Sequence, residues 1–370
     1  MRLAVLGHTY VVGANRGKLH ALQRRGHDVL LLSPDIWHEP DFGAHRFDPE
    51  KKLSYELFAC PGNGRVRRFI YPHRLLRDTL RQQRPDVLLA ETEPGGLAAL
   101  QAAYLATTLG IPLAVFAWEN LTISGRSRLA CLPVYAAARR LLAGSHGAAD
   151  TARKAGYRGP VTVIPQVGVD PAMIPPRKKT RRKTLHALFI GRLDRKKGAD
   201  LLLDALAHPN CRNWRATIVG DGDERQMLTT QAEALGLGKR VIFTGATPHD
   251  NVPRLFADAD ALVSPSRSVP GWCEQFGHIL TWAMAAGVPI AGSRCGAIPE
   301  VVGDAGLLFT QNDVSGLVSC LQQLSDAEVR NKLGEVGLRR AAERYTDEAL
   351  AARLERALVM TLEHSDVDDG

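Results

Sequence analysis

At 370 residues the chain is longer than one hydrophobic core usually spans, so two domains are expected. Hydrophobic residues at 45% and charged residues at 23% exclude a disordered or fibrous protein, and no apolar run approaches the roughly 20 residues of a membrane span. The net charge of +8 is uneven, with 22 Lys+Arg against 14 Asp+Glu in residues 1–170 and 25 of each in residues 171–370. That excess points either to an anionic partner of the first half or simply to solubility.

Met1-Arg2-Leu3-Ala4-Val5-Leu6-Gly7 lacks the apolar region and small-residue cleavage site of a signal peptide. Short apolar runs then read as buried strands at residues 2–7, 28–33, 86–90, 113–117 and 140–144. Helical patterns lie between them at 17–25, 72–84 and 95–109. A second strand series follows at 187–191, 216–220, 241–244, 261–264, 289–291 and 306–309. Pro165, Pro171, Pro175 and Pro176, with the run Arg177-Lys178-Lys179-Thr180-Arg181-Arg182-Lys183, separate the series as an interdomain linker would. No aromatics interleave the basic run, which favours a solvated linker over a nucleic-acid patch. Both series read as doubly wound α/β domains in tandem. Cys60, Cys131, Cys211, Cys273, Cys295 and Cys320 form no CxxC pair, so a reducing, cytoplasmic setting without zinc or a disulfide framework is expected.

Chemistry concentrates in two stretches. Phe189-Ile190-Gly191-Arg192-Leu193-Asp194-Arg195-Lys196-Lys197-Gly198 joins a strand end to a helix start through a basic loop. In an open parallel sheet ligands sit at the carboxyl ends of the strands, where a cationic loop beside a helix start suits a diphosphate. Arg192 offers a bidentate fork and Lys197 a mobile point charge. A basic loop that merely caps a helix is the plain alternative. Ser264-Pro265-Ser266, then Glu274-Gln275-Phe276-Gly277-His278, leads into a helix over 279–286. Gly277 lets backbone N–H groups approach an anion, while Glu274 either bonds a specific partner or serves as a first-turn acid.

Other features carry less. Arg74, Arg77, Arg81 and Arg84 recur at helical spacing, either as a solvated face or as a seat for an anionic membrane or phosphorylated acceptor. Gly144-Ser145-His146 is no nucleophile elbow and Gly191-Arg192-Leu193 no GxGxxG, so hydrolase and nicotinamide chemistry lack support.

Further pieces stand in order: Val219-Gly220-Asp221-Gly222, Phe243-Thr244-Gly245, Ala257-Asp258-Ala259-Asp260, Ala283-Met284-Ala285-Ala286-Gly287-Val288-Pro289 and Gly296-Ala297-Ile298-Pro299-Glu300-Val301. In the first half are Arg25-Gly26-His27-Asp28-Val29, Val163-Ile164-Pro165 and Gly168-Val169-Asp170. In this collinear order the chain resembles the family-4 retaining glycosyltransferases of the GT-B fold, over nearly its whole length. The resemblance implies an α/β protein of two Rossmann-like domains facing across a cleft. The acceptor-side domain would be residues 1–168 and the donor domain 169–345, with a final helix near 346–365 packing back on the first.

By the same resemblance Arg192 and Lys197 hold the donor diphosphate and Glu274 faces the donor sugar, as the catalytic residues. Gly13, Thr247, Phe276, Gly277, His278 and Trp282 complete the nucleotide-sugar site, and His8, Trp118, Glu119 and Asn120 the acceptor side. For His8 a structural role stays open. No metal and no cofactor are implied, so Asp221 with Asp223 and Asp258 with Asp260 read as structural. The implied partners are a nucleotide diphosphate sugar and an acceptor of open identity, anionic or lipid-linked acceptors included. A peripheral seat at the inner membrane face is a further option, and nucleic acid is not expected.

Three positions depart from the family pattern. Trp282 stands where a second glutamate usually holds the ribose, and an indole offers one N–H and no acceptor. Val11-Val12-Gly13-Ala14-Asn15-Arg16-Gly17 replaces a Gly-Gly loop, and Trp118-Glu119-Asn120 replaces the usual acceptor-side histidine. A nucleotide-sugar-binding protein without transfer activity, motivated by Trp282, is one rival reading. A basic-surface adaptor for nucleic acid, motivated by the charge of residues 1–170 but lacking aromatic stacking runs or a recognised module, is a second, and a nucleotide-sugar epimerase is a third.

Overall fold

Runs such as Leu3-Ala4-Val5-Leu6 are apolar at every position because a parallel strand is covered by helices on both faces. The computed structural model describes residues 1–39, 43–178, 183–248 and 251–363. They form two compact units, Met1–Gly168 with Asp347–Gly370, and Val169–Thr346.

The first unit runs β1 (Arg2–Leu6), α1 (Gly17–Arg24), β2 (Asp28–Pro34), β3 (Ile36–Glu39), β4 (Gly43–Arg46), β5 (Ser54–Phe58) and α2 (His73–Gln83). It continues through β6 (Val87–Ala90), α3 (Leu97–Leu109), β7 (Leu113–Ala117), α4 (Gly125–Ala137), β8 (Arg140–Ala143), α5 (His146–Ala155) and β9 (Val161–Val163). Seven strands make one parallel sheet in the order β5-β2-β1-β6-β7-β8-β9, while β3 and β4 pair antiparallel apart from it. The strand order reverses between β1 and β6, which is the topological switch point of the sheet.

The second unit holds β10 (Leu185–Ile190), α6 (Ala199–Ala207), β11 (Trp214–Val219), α7 (Arg225–Ala234), β12 (Val241–Gly245), α8 (Val252–Leu255) and β13 (Ala261–Ser264). After these come α9 (His278–Ala285), β14 (Ile290–Ser293), α10 (Ile298–Val302), β15 (Gly306–Phe309), α11 (Val314–Gln323) and α12 (Ala327–Arg344). Its six parallel strands order as β12-β11-β10-β13-β14-β15, with the switch between β10 and β13. Of the linker run, Lys179, Thr180, Arg181 and Arg182 lie outside the described residues. Arg177 instead is buried in the second unit, giving its backbone N–H to Ala286 O at 2.8 Å and its guanidinium to Asn331 at 2.7 Å.

The last helix, α13 (Asp347–Glu363), returns to the first unit and packs along α1. Leu350, Leu354, Ala357, Leu358 and Thr361 are buried at helical spacing on one face. Its rim is charged: Glu348 meets Arg24 at 2.6 Å, and Glu355 meets His27 at 2.9 Å as well as Arg25. This return corrects the uneven charge read from the halves. The first unit carries 24 Lys+Arg against 20 Asp+Glu and the second 23 against 19, so each has +4. Residues 347–370, with 7 Asp+Glu against 2 Lys+Arg, bring the excess of +9 over residues 1–168 down to +4.

Leu354→Ala removes a side chain that is 1% exposed and should destabilise the first unit by about 2–5 kcal/mol. The exposed neighbour changed as Arg356→Ala should shift stability by less than about 0.5 kcal/mol. Urea unfolding of the two variants checks the difference.

Candidate functional site

In the second unit most of the candidate donor-site side chains come from loops at the carboxyl edge of the sheet, on both sides of the switch. Asp194 caps a short helical turn after β10 by accepting the Lys197 N–H at 3.2 Å, which sets Lys196 and Lys197 on that turn. The turn ends at Gly198, whose φ is +73° and where a Cβ would stand 2.3 Å from the Pro265 carbonyl. Only glycine permits that approach, and Arg267 N–H→Lys196 O at 2.8 Å then stitches the loop after β10 to the loop after β13.

These loops converge on Glu274. Lys197 Nζ donates to Glu274 Oε2 at 2.7 Å, and Ser266 Oγ donates to the same oxygen at 3.1 Å. The Glu274 carbonyl accepts the Ala297 N–H at 2.9 Å, so the loop after β14 fixes its backbone as well. Lys197 keeps a quarter of its side-chain surface in solvent, whereas Glu274 keeps 11%. Arg192 sits on the same edge, held loosely by Asp194 at 3.6 Å and Asp223 at 3.8 Å.

The other predicted donor residues flank the pair. Gly277, at φ +78°, is the N-cap of α9, and His278 is its exposed first residue. Phe276 lies edgewise to His278 at 5.2 Å and to Tyr345 at 5.9 Å. Trp282 is half-buried on α9 and packs against the apolar cluster beneath it. Thr247, half-buried, follows β12 at the edge of the sheet, three strands from β13. Lys197 and Glu274 are thus brought into direct contact, whereas Thr247 stands off at the sheet edge.

Ser266, as a partner of Glu274, and Trp272 join the pair without being expected from the sequence. The Trp272 ring lies 4.9 Å from Lys197 Nζ and 5.2 Å from Lys196 Nζ, measured to the ring centroid. Val269-Pro270-Gly271-Trp272 carries a turn signature that marked its position.

Among the described residues no group of three or more His, Cys, Asp and Glu is placed to hold a metal ion. The two Asp-x-Asp pairs face cations of the protein: Asp221 meets Arg225 at 3.1 Å, Asp223 meets Arg192, and Asp258 meets Lys178 at 3.4 Å. Asp260, buried, lies 3.9 Å from Arg177 and 3.8 Å from Arg330.

The acceptor-side residues of the first unit also lie at a carboxyl edge, beside its own switch. His8 is buried two residues past β1, against Trp37 at 4.2 Å, Phe69 at 5.4 Å and Trp118 at 6.0 Å between ring centroids. Burial lowers its pKa to about 4, so the ring is neutral at pH 7. Gly13 lies in a loop fixed by the buried Arg16, which donates to the carbonyls of Tyr10, Val11 and Asp48 at 2.8, 3.1 and 2.7 Å. Below it, Lys18 Nζ and Tyr10 Oη both donate to Glu91, at 2.6 and 2.7 Å. After β7, the N–H groups of Trp118 and Glu119 donate to Glu93 Oε1 at 2.8 and 3.0 Å. Glu119 faces Arg67 at 3.8 Å, and Asn120 follows half-buried in the same loop. Burial pushes the Glu93 carboxyl up to about 7, against those two N–H bonds and with Glu119 adding to the rise.

These shifts act on stability in opposite directions. Between about pH 4.5 and 6.5 the folded chain binds more protons than the unfolded chain at Glu93 and fewer at His8. Glu93 therefore makes stability fall as pH rises, and His8 makes it rise. Glu93→Gln should tilt the curve upward with pH and His8→Phe downward, each by at most about 1.4 kcal/mol per pH unit. Urea unfolding of both variants and the parent from pH 4.5 to 7.5 checks this; three parallel curves contradict it.

Comparison with known proteins agrees in both units. Residues 18–172 match Glycosyltransferase Family 4 and residues 174–340 match Glycosyl transferases group 1, nearly the whole chain between them. The chain is 35% identical over 141 residues to N-acetyl-alpha-D-glucosaminyl L-malate synthase of Bacillus anthracis, covering 37% of this chain and 35% of that protein. It is 36% identical over 118 residues to 2-deoxystreptamine N-acetyl-D-glucosaminyltransferase of Streptomyces fradiae, covering 31% and 27%. The matched stretches thus span about a third of these relatives' own length. Among solved structures, Anabaena HepE in complex with UDP and glucose superposes with a TM-score of 0.72 at 21% identity, over 97% of this chain and 100% of that one. Sucrose-phosphate synthase from Thermosynechococcus elongatus gives 0.71 at 19% identity, over 99% and 100%. The chain belongs to the family-4, group 1 glycosyltransferases and has the GT-B fold.

Proposed function

We propose that this protein transfers a sugar from a nucleoside diphosphate sugar to an acceptor hydroxyl, with retention at the anomeric carbon and without a metal ion or cofactor. The observation that carries this reading is the Lys197–Glu274 pair at the β10/β13 switch, a cation and a carboxylate where an open α/β sheet takes its ligand. HepE, with UDP and glucose bound, supplies the ligand class by analogy of fold. Lys197 and Arg192 meet the diphosphate, with the N-terminus of α9 at Gly277 and His278 beside it. As the bond from the anomeric carbon to the diphosphate breaks, the acceptor oxygen bonds to that carbon and gives its proton to a diphosphate oxygen. The two cations stabilise the charge on the leaving group, and Glu274 bonds donor hydroxyls or supports positive charge at the anomeric carbon. On the acceptor side His8, Trp118, Glu119 and Asn120 receive the second substrate.

A second reading, nucleotide-sugar binding without transfer, is favoured by the packing of Trp282 against the apolar cluster under α9. Turnover of a donor decides between them.

Arg192→Ala and Lys197→Ala should each weaken binding of UDP, GDP or ADP by about 1.5–3 kcal/mol, read by calorimetry, and leave the melting temperature nearly unchanged. Glu274→Gln should slow turnover by one to three orders of magnitude, about 1.4–4 kcal/mol of barrier. EDTA should leave turnover intact, and a loss restored by magnesium or manganese reopens the Asp-x-Asp pairs.

The membrane reading rests on α2 and the residue that caps it, where Arg74, Arg81 and Arg84 are exposed beside Leu75 at 61% exposure, whereas Arg77 is half-buried and pairs with Asp78 at 2.9 Å. Sedimentation with vesicles containing phosphatidylglycerol should bring the protein down at low salt and release it at high salt. Equal behaviour with neutral vesicles removes that role.

A further inference from the structure

We propose that Trp272 is a positioning residue of the donor site: its indole face holds the Lys197 ammonium where it can move between Glu274 and the donor diphosphate. The inference rests on the functional reading above and adds a residue to it.

The local sequence builds the arrangement. Val269-Pro270-Gly271-Trp272 closes on itself, with Val269 N–H→Trp272 O and Trp272 N–H→Val269 O both at 2.9 Å. Proline and then a glycine at φ +78° at the two central positions are the signature of a type II turn. That turn places a large, half-buried aromatic two residues before Glu274. Lys197 Nζ lies 4.9 Å from the ring centroid, inside the range of a cation–π contact, while it donates to Glu274 at 2.7 Å. Lys197 has an exchangeable partner and a fixed one. When a diphosphate competes for the ammonium and the sugar for the carboxylate, the ion pair must open or be shared. The ring stays attractive to the ammonium throughout and limits how far a long, flexible side chain travels. Lys196, 5.2 Å from the same centroid, gains no comparable bond to Glu274 and adds positive potential at the rim.

The test is a double-mutant cycle with nucleoside diphosphates (UDP, GDP and ADP) as probes. Trp272→Leu removes the π face and keeps apolar bulk, so affinity for the diphosphate that binds the parent should fall about threefold to tenfold. Trp272→Phe should recover most of the loss. In a Lys197→Met background, Trp272→Leu should change affinity by less than twofold, because the cation it positions is gone. Independently of nucleotide, the Lys197 methylene protons should show an upfield ring-current shift in the NMR spectrum that Trp272→Leu abolishes. Unchanged affinity in Trp272→Leu, or an equal loss in the Lys197→Met background, overturns the positioning role while leaving the donor site standing. A parent protein that binds none of the three diphosphates overturns the functional reading, and this inference with it.

Discussion

The ion pair between Lys197 and Glu274 is the contact on which the loops at the carboxyl edge of the second unit converge. The loop after β10 carries the cation, and the loop after β13 carries the carboxylate and the Ser266 hydroxyl that shares it. The loop after β14 fixes the carboxylate's backbone through Ala297. Three loops from strands that diverge at the switch point are thus closed on one carboxylate. A parallel sheet gives no hydrogen bonds beyond its strand ends, so side-chain and backbone contacts of this kind must order the loops.

Fold legibility followed burial. Strands covered on both faces, such as Leu113–Ala117 and Ala261–Ser264, stand out as apolar runs because every position faces a helix. Ser54–Phe58 carries no apolar signal, because it is the sheet's edge strand and keeps Glu56 and Leu57 exposed. Val161–Val163, at the opposite edge, is three residues long and half-buried throughout. Helix α4 was hidden by Pro133 in its interior and by a weakly sided mixture of apolar and basic residues. The charge asymmetry has another cause: linear counting does not place residues 347–370 with the first unit.

Site legibility divided differently. Spacing and residue type single out Lys197 and Glu274, 77 positions apart, because strand-end loops in doubly wound folds share one edge. What the sequence could not convey is that the two groups pair directly with each other. Nor does it show that Trp272 leans over that pair, since this depends on how a four-residue turn folds back. His8 and Trp118 were legible as strand-end residues, whereas Trp37 and Phe69, which surround His8, come from segments with no strand-end signature. Glu93 escaped notice because its role, accepting two backbone N–H groups from the loop after β7, is visible only once β6 and β7 are neighbours.

Each unit places a lysine–glutamate pair at its switch point, and burial decides what each pair does. Lys18 and Glu91 lie 2.6 Å apart with side chains 2% and 0% exposed, and Tyr10 satisfies the second carboxylate oxygen. Separating such a pair leaves an uncompensated charge out of water, at about 3–5 kcal/mol, so it fixes the loop that carries Gly13 and is not exchanged. Lys197 and Glu274 are almost as close, at 2.7 Å, but the lysine keeps 25% of its side-chain surface in solvent, and the carboxylate also accepts from Ser266. Opening this pair therefore costs far less, and an incoming anion can replace the carboxylate as the lysine's partner while water or hydroxyl groups take the carboxylate. The same two residue types at equivalent edges thus serve as a fixed clamp in the first unit and an exchangeable contact in the second, and the difference is one of solvent access.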